Sequence, residues 1–160
     1  MTTLQHTLRW TLAAASIAAL AACGNMGSSS SSGSMGSMAA SASTASFAAT
    51  LSSSAEVPPN MSTGTGTLTA TLDKASNVLT WKLSYSGLTG PATMAHFHGP
   101  AMPGANAGVV LPFQGAASPI EGSATLTAAQ VADLTAGRWY ANVHTAANPA
   151  GEIRGQVMAK

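Results

Sequence analysis

A single cysteine, Cys23, in 160 residues leaves no disulfide to form within the chain. Whatever folds here is therefore held by packing alone. Charge is almost as scarce: Asp, Glu, Lys and Arg make up 7% of the sequence, against roughly a quarter in ordinary soluble domains. After Cys23 the five cations (Lys74, Lys82, Arg138, Arg154, Lys160) balance the five anions (Glu56, Asp73, Glu121, Asp133, Glu152). That balance, with no basic run, excludes an electrostatic footprint for nucleic acid and a polybasic membrane anchor. The common catalytic vocabulary is thin as well. The domain beyond Cys23 has no thiol nucleophile, no serine in a nucleophile elbow and no paired carboxylates. Gly64 and Gly66 read as strand or turn glycines rather than a phosphate cradle. An enzyme is not expected.

The start of the chain reads as an address. Arg9 supplies a positive charge, and Trp10 to Ala22 supplies an apolar run too short to span a bilayer, which takes about 20 residues. Small residues precede Cys23, and Leu20-Ala21-Ala22-Cys23 resembles a bacterial lipobox, in which the cysteine carries the lipid (palmitate among its acyl chains) and becomes the mature N-terminus. The alternative is an uncleaved anchor or a plain secretory signal with an incidental cysteine. Residues 1–22 are thus expected to be a lipoprotein signal peptide and 23–45 a lipidated Cys23 with a tether. The tether, GNMGSSSSSGSMGSMAASAST, cannot bury enough apolar surface to order itself. About twenty such residues reach on the order of 25 Å. Gly24 rather than Asp after the cysteine implies, by resemblance to lipoprotein sorting signals, the outer membrane in a diderm host.

From residue 46 to 160 the signals are those of an all-β domain: short alternating runs cut by Gly, Pro and Asn. Phe47 to Leu51 reads as a strand. Thr65 to Leu72 alternates Leu68, Ala70 and Leu72 with threonines, and Val78 to Tyr85 sets Leu79, Trp81, Leu83 and Tyr85 inward, so the two form a hairpin across Asp73 to Asn77. Further strands are expected over Ala92 to His98, Val109 to Phe113 and Ile120 to Leu126. Thr127 stands where an N-cap would, ahead of a short helix over Ala128 to Leu134 closed by Gly137. The fold expected is an antiparallel Greek-key β-sandwich of about eight strands with one short helix.

The stretch Arg138 to Val157 carries the most chemistry. With a period of two, Trp139, Ala141 and Val143 face the core while Tyr140, Asn142 and His144 face away. Beyond the turn at Ala146 to Gly151, Ile153 and Val157 lie on the apolar side, and Glu152, Arg154 and Gln156 are expected on the polar one. In the earlier strand, Phe97 inward puts Met94, His96 and His98 outward. Two imidazoles at i and i+2 with a third on another strand, His96, His98 and His144, form a ligand pattern that suits copper or zinc, with Met94 or Met102 as possible helpers. A guanidinium beside such a cation costs affinity unless an acid compensates, and Glu152 is the acid expected to do so. Alternatively the set is a structural network, in which His144 and Tyr140 bond loop carbonyls around Gly99 and Asn148 while Glu152 pairs with Arg154. A third reading is an anion site on Arg154. A dinuclear site like that of superoxide dismutase would need a fourth histidine and an aspartate that this pattern lacks.

Four segments together, AEVPP at 55–59, AHFHGPA at 95–101, LTAAQVADLTAG at 126–137 and YANVHTAANPAGEIRGQ at 140–156, resemble the chordin-type (CHRD) domain. The resemblance runs from about Phe47 to Val157. In animals this domain recurs in chordin, which antagonises bone morphogenetic proteins; single-domain bacterial members are exported and have no defined role. The animal partner does not carry over, since the chain has one copy and none of chordin's cysteine-rich modules. The function expected is a non-enzymatic binding or structural module, lipid-anchored in the cell envelope, with an envelope protein as partner. The alternative is a copper- or zinc-binding protein using His96, His98 and His144. An oxidoreductase of the dismutase kind ranks last.

Overall fold

The computed structural model describes residues 43–160. The signal peptide expected over 1–22, Cys23 and the tether expected over 23–45 lie outside the described residues as far as residue 42, whereas Thr44 and Ala45, at the tether's expected end, already belong to the first strand. Eight strands and one helix follow in order. β1 is Thr44–Ser52, β2 Thr65–Asp73, β3 Val78–Ser86, β4 Ala92–His98, β5 Val109–Pro112 and β6 Ile120–Thr125; after helix α1, Ala128–Thr135, come β7, Trp139–Thr145, and β8, Ile153–Ala159. A single turn of 3-10 helix, Ser53–Ala55, ends β1.

Local sequence explains these elements. In β2 the threonines at 65, 67, 69 and 71 are exposed while Leu68, Ala70 and Leu72 are buried, the alternation of a pleated strand covered on one side. The Asp73 carboxylate accepts from the N–H groups of Ala75 and Ser76, each at 2.9 Å, and Asn77 takes a φ of +56°, so the turn into β3 closes tightly. Helix α1 begins in a full capping box. The Gln130 N–H donates to Thr127 Oγ1 at 3.2 Å, and the Thr127 N–H donates to Gln130 Oε1 at 2.9 Å. Leu134 is the residue α1 buries fully, and Gly137 at φ +68° turns the chain into β7.

All eight strands join one antiparallel sheet in the order β5-β4-β7-β8-β1-β2-β3-β6. Strands far apart in sequence, β1 with β8 and β4 with β7, are neighbours, so the chain crosses over as the Greek-key expectation requires. The sheet curls until its two ends face each other. Trp81 of β3 meets Phe97 of β4 edge-on at 5.4 Å and stacks on Phe113 at 5.1 Å, while Phe97 lies 5.5 Å from Trp139 of β7. Around these rings the inward residues of the strands, Phe47, Leu51, Leu68, Leu72, Leu79, Leu83, Val143, Ile153 and Val157 among them, form one core. Each such side chain contributes roughly 1.5–3 kcal/mol on burial. Among the described residues no helix is long and apolar enough to cross a membrane.

Candidate metal centre

β4 and β7 lie side by side and antiparallel, with Met94 opposite His144, His96 opposite Asn142 and His98 opposite Tyr140. Because Phe97 and Ala95 face the core, all six of these residues stand on the other face of the sheet. His96, His98 and His144 therefore converge, as the alternation predicts. Their ring centroids are 5.5 Å (His96 to His98), 5.0 Å (His96 to His144) and 6.4 Å (His98 to His144) apart. One ligand nitrogen from each can be chosen so that all three lie within 4.8 Å of one another.

The hydrogen bonds fix the tautomers of two of the rings. His98 Nδ1 donates to the Ala107 carbonyl at 3.0 Å, and His144 Nδ1 donates to the Pro149 carbonyl at 3.0 Å. A carbonyl accepts only, so both rings carry their proton on Nδ1 and keep the lone pair on Nε2, the second-sphere arrangement typical of metal-bound imidazole. His98 Nε2 is buried and has no hydrogen-bond partner. His144 Nε2 lies 3.3 Å from His96 Nδ1 and 2.9 Å from Asn142 Oδ1. The Asn142 side chain also hydrogen-bonds the Glu56 carboxylate, which takes its NH2 and fixes its oxygen toward His144. The ring nitrogens and the Asn142 amide thus meet in one polar cluster.

Protonation is disfavoured in the same place. Burial first, and then the charges of His144 and His98, lower the pKa of His96 from its ordinary value. For His144, burial lowers it, the bond to the Pro149 carbonyl opposes this, and His98 lowers it further. Neutral imidazole is the form that binds metal.

Over β7 the outer face is polar, but it is not wet. Every residue of β7 is buried, because the 99–108 loop and the segment after the 3-10 turn fold over it. Arg154, 1% exposed, donates from Nη1 to Asn106 Oδ1 at 2.9 Å and from Nη2 to the Ala105 carbonyl at 2.6 Å. Its guanidinium carbon sits 3.4 Å above the Tyr140 ring, and that ring stacks on His98 at 4.8 Å, 3° from parallel. The Tyr140 hydroxyl donates to the Ala107 carbonyl at 3.3 Å and accepts from the Ala107 N–H at 3.2 Å. Gln156 donates to the carbonyls of Ala101 and Gly137. These bonds hold the guanidinium inside the domain, where it lines a cavity together with Glu56.

One expectation is corrected here: Glu152 neither joins this face nor pairs with Arg154. It precedes the first residue of β8 and follows Gly151, whose φ is +135°, so strand alternation does not govern it. Its carboxylate turns to the end of the core. There Oε1 accepts from Ser62 Oγ at 2.6 Å and the Thr89 N–H at 2.7 Å, and Oε2 from Thr89 Oγ1 at 2.6 Å, Thr145 Oγ1 at 2.5 Å and Asn148 Nδ2 at 3.1 Å. Burial pushes its pKa up, but the bonds from Ser62, Thr145 and Thr89 outweigh that and hold it at about 2.

The acid that faces Arg154 is Glu56. It is 5% exposed, and its pKa is raised by burial against the opposing pull of Arg154, the Val57 N–H and Asn142. Its Oε1 comes so close to Gly151 that a Cβ there would stand 2.3 Å away, which explains glycine at that position. Sequence patterning missed Glu56 because it sits in an irregular Pro-rich stretch, where no periodicity assigns a face. A signal was available: a buried Arg154 requires an acid, and few acids exist to choose from. Asn106 and the carbonyls of Ala105 and Ala107, supplied by a loop, were equally out of reach.

The family model described as CHRD domain matches residues 47–157, and it covers the whole site. No curated protein and no solved structure matches the chain.

Proposed function

Because the chain belongs to the CHRD domain family and gathers three imidazoles on one sheet face, we propose that it is a non-enzymatic binding module of the cell envelope that takes one copper or zinc ion. His96, His98 and His144 hold the ion. The observation that carries this is the buried, unpartnered Nε2 of His98, aligned by the Nδ1–H bond to Ala107 as a ligand is aligned by its second sphere. Asn142 and the Ala107 and Pro149 carbonyls orient the rings. Glu56 balances Arg154, the task expected of Glu152, so that a cation nearby does not meet an uncompensated guanidinium. Leu20-Ala21-Ala22-Cys23 supports lipid anchoring through Cys23, and the Gly/Ser tether supports display away from the membrane.

Isothermal calorimetry of the mature chain with Zn(II) and Cu(II) tests the reading. One saturable site is expected, weakened at least tenfold in His144→Ala. No saturable heat, or equal binding by that variant, overturns it. The second reading, a module whose polar cluster only stabilises the fold and whose partner is an envelope protein, is favoured by the bonds of His144 and Tyr140 to loop carbonyls. It predicts capture of that partner from envelope extract unaffected by chelators, and a His144→Ala variant that loses stability with no metal involved.

A further inference from the structure

The three imidazoles leave the metal's identity open between zinc and copper, and the fourth position decides it. The residue directly opposite His144 across the β4–β7 pair is Met94. It shares a strand face with His96 and His98, two and four residues along β4. Directly opposed side chains on an antiparallel pair have Cβ atoms about 4.5–5.5 Å apart, and an unbranched thioether with three rotatable bonds covers such a gap readily. Met94 is 48% exposed, so it stands at the open side of the cluster, where the half-buried His96 also lies. Exposure alone distinguishes nothing, since Met61, Met102 and Met158 are exposed too. Met94 differs in register: it alone of the four occupies the row of the histidines.

Resting on the three-histidine reading, we infer that Met94 is the fourth ligand and that the site is a copper site, taking Cu(I) through three imidazoles and one thioether. Thioether sulfur is a soft donor that selects Cu(I), whereas zinc in proteins draws its ligands from Cys, His, Asp and Glu. Met94 lies at the solvent side, so the ion is loaded and released there, past Met94, while the His98 and His144 side stays fixed by its carbonyl bonds. The second sphere of this site belongs to the buried pair of rings, and the metal preference to the exposed arm.

The test compares the mature wild-type chain with Met94→Leu, which keeps the bulk and removes the sulfur. Met102→Leu is the control, since its loop position gives it no place in the row. Cu(I) affinity is read by competition with a chromogenic Cu(I) chelator, and Zn(II) affinity by calorimetry. The inference expects Cu(I) binding to fall at least tenfold in Met94→Leu alone, with Zn(II) binding unchanged and circular dichroism unaltered. Cu(I) affinity that is indifferent to Met94→Leu, or a Zn(II) loss as large as the Cu(I) loss, overturns the fourth ligand and leaves the histidine site intact. Failure of the wild type to bind either metal overturns the histidine site itself.

Discussion

Replacing Glu152 by Gln removes one charge from the interior while keeping its shape, and the structure sets the size of the effect. Five donors converge on the carboxylate. The hydroxyls of Ser62, Thr89 and Thr145 can rotate to suit an amide, but the Thr89 N–H on Oε1 can only donate, and the Asn148 amide on Oε2 accepts only if it turns over and gives up its bond to Thr89 Oγ1. Whichever way the Gln amide turns, its NH2 either faces the Thr89 N–H or forces the Asn148 amide out of its present bonds. One buried donor left unmet costs about 1–3 kcal/mol, and the remaining bonds lose the charge that made them worth about 1.5–3 kcal/mol each. Together the loss comes to about 3–5 kcal/mol, or some 12–20 °C in Tm at about 4 °C per kcal/mol for a domain of this size. Guanidinium unfolding followed by the fluorescence of the buried Trp81 and Trp139 measures it. The pH dependence gives a second handle. The folded pKa of Glu152, about 2, lies below its ordinary 4.5. The unfolded chain therefore takes up the proton first, and the stability this group contributes is full above its ordinary value and lost as pH falls toward about 2. Glu152→Gln should flatten the stability profile in that window. A loss under about 1 kcal/mol, or an acid limb unchanged in the variant, would refute the reasoning.

Three further outcomes are expected. Gly122→Ala puts a Cβ 2.4 Å from Trp81 Cζ2, so it should cost about 1–3 kcal/mol by overpacking and shift the tryptophan emission; an unperturbed spectrum counts against the packing described. Thr127→Ala deletes the hydroxyl of the capping box and should lower stability by about 1 kcal/mol in thermal unfolding, with Thr127→Ser restoring most of it. Burial and neighbouring rings lower the pKa of both His96 and His144 from 6.5, so in the metal-free chain the ring protons of these two histidines should titrate in NMR with midpoints below 6.5. Midpoints at or above 6.5 would count against the burial described.

The strands were legible because their alternation is regular: Leu68, Ala70 and Leu72 against threonines, and Trp139, Ala141 and Val143 against Tyr140, Asn142 and His144. Parity alone sufficed to put His96, His98 and His144 on one face, since β4 and β7 pair in a register that keeps it. Parity stops at strand ends, and there the reading of Glu152 went astray: Gly151 rotates the chain just before β8, and a carboxylate assigned to the outer face anchors the end of the core instead. What covers the outer face was also out of reach. The loop carbonyls of Ala105 and Ala107 carry no side-chain signature, and Glu56 lies in an aperiodic stretch. The face was therefore legible as polar, though not as buried.

The central claim is that three imidazoles on two neighbouring strands form one metal centre, and anomalous diffraction from crystals soaked in copper or zinc addresses it most directly. A single peak is expected among His96, His98 and His144, with the bonds of His98 to Ala107 and of His144 to Pro149 retained. Peaks found only elsewhere, or none at the cluster under saturating metal, would contradict it.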